Sequence, residues 1–243
     1  MGKLNLAILA SGSGSTAEPL FDIASLIITN NPNAGIIQLA ENSKVDCIVL
    51  SRKEYLVYKS DGEIDQDASR VKYGQSLLAA FRIYDIHFIS QNGWSVMTPA
   101  NVIAGFKDKI INSHPAPLDP GYPDFGGVGM HGLAVHAAVL NFKRLINRPF
   151  NYTEVCLHFV TDEYDKGQAV AATLVPFLDG DTPESLQARV KEAEKVQNKQ
   201  FWTQVFQTGA INPIHRTQRL ILPGEEAILE EAKRQAIAQY PNG

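Results

Sequence analysis

Short apolar runs that alternate with segments of helical spacing constrain this chain more than anything else in it. Leu4 to Ala10 is apolar apart from Asn5, and Leu26 to Thr29, Cys47 to Leu50, His87 to Ser90 and Lys109 to Asn112 are further short runs rich in Ile, Leu and Val. Runs apolar on both faces suit parallel strands covered on both sides. Between them, residues 16–24, 34–43 and 68–83 read as helices, the last with Tyr73, Leu77, Leu78 and Phe81 on one face. Residues 51–67 are polar and loop-like. The pattern predicts an α/β protein of Rossmann-like form, a mostly parallel central sheet with helices on both faces.

The second half continues with a helix over 133–146 and strands over 154–160 and 170–175. A long helix follows in DTPESLQARVKEAEKVQNKQFWTQVFQTG, with Asp181 and Glu184 at capping-box spacing and Gly209 as its stop. Residues 215–239 read as a strand and then a charged amphipathic helix, and no internal repeat appears. At 243 residues the chain is long enough for one sizeable core, or one domain with an appendage. A net charge of −4 and a pI near 5.9 argue against a nucleic-acid binder, though not against a small basic pocket. Cys47 and Cys156 lie in apolar runs and read as buried, reduced thiols of a cytoplasmic protein. The opening MGKLNLAILASG reads as a first strand rather than a signal peptide, and no stretch has the apolar length to span a bilayer.

Every chemically suggestive loop follows a strand: SGSGS, QNGW, NSHP and TDEYDKG. In such sheets ligands bind outside the carboxyl ends of the strands. Gly12 to Ala17 fits G-x-G-x-x-G/A, but the second strand ends Thr29-Asn30-Asn31 with no carboxylate for a ribose. The loop therefore suits one phosphate held by backbone N–H groups at a helix N-terminus, the competing reading being a tight glycine turn without a ligand. A second match, Gly127 to Gly132, follows prolines instead of a strand. Its glycines are expected to let backbone pack closely or a ligand approach.

Asn112 and His114 stand two apart at a strand end, so extended backbone points both the same way, and Pro115 favours that geometry. An amide donor beside an imidazole is what acyl-type transfer requires: one faces an oxyanion, the other handles a proton. A surface turn with capping side chains explains the pair equally well if it is taken alone. LHFVTDEYDKG adds His158, Asp162, Glu163 and Asp165, and a carboxylate near His114 would raise the imidazole pKa. His87, His131, His136 and His215 read as structural or solvated, and no cluster has zinc spacing.

Together these residues resemble the folate-dependent formyltransferase family, nearest its phosphoribosylglycinamide formyltransferase (GAR transformylase) branch. The resemblance covers roughly residues 4–208 and rests on Asn112-x-His114-Pro115, His158 to Gly167, Ser11 to Ser15 and Arg189 to Glu194. It implies formyl transfer from 10-formyltetrahydrofolate to the amine of glycinamide ribonucleotide, with catalysis by Asn112, His114 and Asp165 and no metal. It further implies that Gly14, Ser15, Thr16, Pro115, Lys191 and Glu194 bind the nucleotide. The folate would meet Arg70, the loop Trp94, Ser95, Val96 and Met97, and the segment Val160, Thr161 and Asp162. Asn92-Gly93-Trp94-Ser95 stands where the family has Gly-Phe-Met-Arg. A formyltransferase domain over 1–209 is expected, with a phosphate-binding half 1–112, a folate and catalytic half 113–209, and a strand-helix extension 210–243. Expected partners are the two small molecules, with neither nucleic acid nor membrane, in a cytoplasmic monomer or homodimer. The alternatives are a nucleotide-sugar N-formyltransferase, a formyltetrahydrofolate hydrolase, or a non-catalytic nucleotide-binding module. A methionyl-tRNA formyltransferase would need a larger, basic RNA-binding part.

Overall fold

A computed structural model describes residues 4–243. The first strand, β1 (Leu6–Leu9), is buried along its whole length, as a strand covered on both faces must be. β2 (Ala24–Thr29) and β4 (Phe88–Gln91) flank it in parallel, with β3 (Cys47–Val49) outside β2 and β5 (Ile110–His114) outside β4. The helices of this part are α1 (Ile36–Ser43), α2 (Gln66–Ile83) and α3 (Ala100–Gly105). The later part holds α4 (Gly132–Leu145), β6 (Tyr152–Phe159), β7 (Ala169–Pro176), α5 (Pro183–Thr208) and α6 (Glu226–Gln239). β6 and β7 pair antiparallel, and the strand order of the seven-stranded sheet is β3-β2-β1-β4-β5-β6-β7. Two compact units divide the chain, Met1–Asn112 and Ser113–Gly243, so residues 210–243 count with the second.

Three expectations change. The helix expected over 16–24 is a three-residue 3-10 turn, Glu18–Leu20. β2 begins at Ala24, and a helix advances only about 1.5 Å per residue against about 3.3 Å for a strand. The stretch after β1 is too short to hold both the glycine loop and a helix that recrosses the sheet. The capping box of α5 belongs to Thr182 and Ser185, not Asp181 and Glu184. Asp181 instead accepts from the Leu178 amide and pairs with Arg189, while Gly209 ends the helix at φ +70° as expected. The strand expected after residue 215 is absent: residues 210–225 carry no regular element, and only α6 follows. Pro213 and Pro223 interrupt that stretch, and Arg216 is drawn into a charge pair with Glu154.

The second unit's core explains why the extension docks. Phe125, Phe142 and Phe150 meet edge-on or tilted at 5.4–6.1 Å between ring centres. Leu229, Ala232 and Ala236 of α6 join the same buried cluster as Ala134, Ala137 and Ala138 of α4. Small side chains on both helices permit close approach of their axes.

Candidate active site

β5 carries Asn112 and His114 out of the sheet, and strand alternation gives both the same face. Asn112 registers against Gln91 of β4 and is half-buried, whereas His114 is buried. His114 Nε2 lies 3.0 Å from the carbonyl oxygen of Phe125. A carbonyl can only accept, so Nε2 carries the proton and Nδ1 is the nitrogen free to titrate. Nδ1 faces Asp165 Oδ2 at 3.7 Å, a charge contact longer than a hydrogen bond.

Asp165 is held from three directions. Its Oδ2 accepts from the Gly127 amide at 2.9 Å, and its Oδ1 is 3.5 Å from His158 Nε2. Its own backbone sits at φ +56°, a left-handed conformation that Asp and Asn tolerate better than most residues. Burial pushes its carboxyl up, but the His114 and His158 imidazoles and the Gly127 amide outweigh this and hold it below the ordinary carboxylate range. His114 is shifted down: burial dominates, and the Asp165 charge offsets it only in part. The nearby carboxylate raises the imidazole as expected, but it does not set the net direction. Loss of hydration outweighs one favourable charge.

The proline-rich segment after His114 supplies the frame, and sequence reasoning missed its members. Asp124, buried, accepts from the amides of Asp119 and Gly126 at 3.0 Å each, with Lys166 Nζ 3.6 Å from its Oδ1. A Cβ on Gly126 would stand 2.6 Å from the Asp165 Cβ, so only glycine fits there. Asp124 two residues before Gly126 is an Asx-turn signal that could have marked the turn, though not its contact with Asp165. The second glycine motif serves close packing, as expected: Gly129 approaches Ile237, and Gly132 approaches Gly243.

In the first unit, the SGSGS loop is tied down by asparagines where a dinucleotide site would offer a carboxylate. Ser11 Oγ donates to Asn30 Oδ1 at 2.6 Å, Asn31 Nδ2 donates to the Ser11 carbonyl at 3.3 Å, and the Ser95 amide donates to Ser11 Oγ at 2.8 Å. Gly14 O accepts from Ala17 and Glu18 N–H, starting the 3-10 turn, so a full helix N-terminus is not present. Gly14 has φ +76°, and an added Cβ would fall 2.6 Å from the Ile36 side chain. Gly14→Ala is therefore expected to destabilise the protein by about 1–3 kcal/mol, read by chemical denaturation. An unchanged midpoint would mean the loop tolerates another conformation. Ser15 and Thr16 are half-buried beside it.

Trp94 is half-buried with its Nε1 unpartnered, Ser95 is exposed, Val96 is buried and Met97 half-buried. Arg70 is largely exposed and 3.7 Å from Asp67. In the second unit Pro115, Val160 and Thr161 are half-buried, Asp162 is exposed, and Thr161 Oγ1 donates to the Glu163 carbonyl. Lys191 Nζ donates to Gln187 Oε1 at 3.2 Å, and Glu194 is buried on the same helix. Among the described residues, no group of three or more His, Cys, Asp and Glu could hold a metal ion, and no helix is long and apolar enough to cross a membrane.

His136 is a buried core histidine whose Nδ1 has no partner. Burial, with the nearby His114 and Lys191, lowers it from 6.5 to about 3. A depressed imidazole stabilises the fold fully above its unfolded pKa, and that contribution is lost as pH falls, because the unfolded chain binds a proton the folded chain refuses. Stability should fall between pH 6.5 and 3 by up to about 1.4 kcal/mol per pH unit from this group. His136→Phe should flatten the decline in denaturation midpoints; parallel curves would remove His136 from the acid response.

The formyl transferase family profile matches residues 4–199. This chain belongs to the formyl transferase family. A chloroplastic phosphoribosylglycinamide formyltransferase of Arabidopsis thaliana is 29% identical over 201 residues, which cover 79% of this chain and 62% of the relative. The chain thus spans about three fifths of that relative's length. A phosphoribosylglycinamide formyltransferase of Dictyostelium discoideum is 29% identical over 78% of this chain and 92% of its own length. Among solved structures, the phosphoribosylglycinamide formyltransferase of Brucella melitensis superposes with a TM-score of 0.67 at 26% identity, covering 87% of this chain and 100% of the other. As a formyl transferase the chain has the family's α/β sheet, and the matched region stops short of α6.

Proposed function

We propose that this formyl transferase moves a formyl group from 10-formyltetrahydrofolate to the amine of glycinamide ribonucleotide, by direct transfer through a tetrahedral intermediate. The observation that carries the reading is the hold on His114: Nε2 fixed by the Phe125 carbonyl, Nδ1 facing an ionised Asp165, and Asn112 on the same strand face. The names of the relatives support the choice of acceptor.

In this reading the substrate amine attacks the formyl carbon. The formyl oxygen takes the electron pair and receives an N–H from Asn112, a donor aimed at charge that develops only as the bond forms. The bond from the formyl carbon to the folate nitrogen then breaks, and the proton shed by the amine ends on that nitrogen. His114 is neutral after its downward shift and can take and return that proton at Nδ1. Asp165 stabilises the imidazolium during the exchange. The buried, unpartnered Trp94 Nε1 is a donor suited to a pterin acceptor, which supports the folate assignment to Trp94–Met97. Gly14, Ser15 and Thr16 remain our assignment for the substrate phosphate, held by loop amides rather than by a helix N-terminus. Lys191 and Glu194 are assigned to the same nucleotide, Arg70 to the folate tail, and Val160 to Asp162 to the pterin side. Two unpaired cysteines accord with a reducing, cytoplasmic setting.

The test is the absorbance change of a 10-formyl folate with and without glycinamide ribonucleotide. Deformylation that needs the ribonucleotide supports the reading. Deformylation at the same rate without it would make the protein a hydrolase.

A further inference from the structure

α6 reaches the active site through one peptide group. Lys233 Nζ donates to the carbonyl oxygen of Gly126 at 3.0 Å. The amide of that same peptide unit belongs to Gly127, and it donates to Asp165 Oδ2 at 2.9 Å. An ammonium and a carboxylate are thus joined across a single planar peptide, the cation on its oxygen and the anion on its hydrogen. The preceding peptide has a matching arrangement: His114 Nε2 meets the Phe125 carbonyl, and the Gly126 amide donates to Asp124 Oδ1 at 3.0 Å.

The surroundings single out the Lys233 link. Its side chain is only 16% exposed, and besides Gly126 it pairs with Glu230 at 3.8 Å. A cation on a carbonyl draws electron density from the peptide nitrogen, so the N–H on the far side becomes a stronger donor. Gly126 can sit against Asp165 only because it lacks a Cβ, and Gly127 holds φ +106°. The peptide between them therefore has no side chain of its own, and its orientation is set by what bonds its two ends.

We propose that Lys233, in the C-terminal helix beyond the matched family region, is a positioning residue that fixes the Gly126–Gly127 peptide and, through it, the Asp165 carboxylate opposite His114. The proposal rests on the functional reading above for its kinetic consequence, but not for its spectroscopic one. Lys233→Met keeps an unbranched apolar stem and removes the ammonium. It should lower kcat on the order of tenfold, as small displacements of a catalytic group do, with KM for both substrates changed less than about twofold. The Gly127 amide proton, read by 1H–15N correlation NMR without substrate, should move upfield as its bond to Asp165 weakens. Lys233→Arg should restore both readouts. If Lys233→Met loosens α6, seen as lost protection of its amides from hydrogen exchange, Lys233→Gln removes the charge and shortens the side chain while leaving it polar, and should move both readouts in the same direction as Lys233→Met.

An unmoved Gly127 amide, or an unchanged kcat, overturns the proposal. A wild-type protein that transfers no formyl group would instead sink the functional reading, and the amide shift alone would then decide the role of Lys233.

Discussion

Asp165→Asn is expected to lower kcat by about two to four orders of magnitude, the usual range for a group that supports proton transfer. It should also move the acid limb of the pH–rate profile to lower pH. The sign follows from the balance at His114, where burial lowers the imidazole and the Asp165 charge raises it. Removing that charge leaves burial less opposed, so His114 protonates at a still lower pH. Asparagine tolerates the left-handed backbone at this position, φ +56°, so the loop should keep its course. Superimposable pH profiles for wild type and variant would show that the 3.7 Å contact carries no coupling.

Asn112→Ala is expected to lower kcat by about a hundredfold to a thousandfold with little change in KM. The amide is assigned to the formyl oxygen, whose demand for a donor grows as the tetrahedral adduct forms and is modest in the bound substrate. A loss spread equally over the binding of both substrates would make Asn112 a docking residue. An unchanged kcat would remove it from the chemistry.

The parts of this molecule legible in the sequence are those fixed by local rules. Leu6–Leu9 reads as a buried strand because nothing in it suits water, and Asn112 and His114 share a face because strand geometry has a period of two. What stayed hidden depends on distant partners. Phe125 and Gly127 matter through a carbonyl and an amide, which every residue possesses, so no side-chain pattern could mark them. The net direction of the His114 shift is not legible, because sequence shows which charge is near but not how much water is lost. The 16–24 segment has helical character, yet the early start of β2 leaves it room only for a turn. Lys233 resembles any other lysine of a charged amphipathic helix until α6 is seen docked beside the glycine segment.

Direct transfer is the central claim, and isotope tracing tests it most directly. A 10-formyl folate carrying 13C in the formyl group is incubated with the protein and glycinamide ribonucleotide, and the products are followed by 13C NMR and mass spectrometry. The label is expected to appear as a formamide on the ribonucleotide in step with its loss from the folate, and Asn112→Ala should slow both together. Label recovered as free formate, with the ribonucleotide unlabelled, would contradict direct transfer.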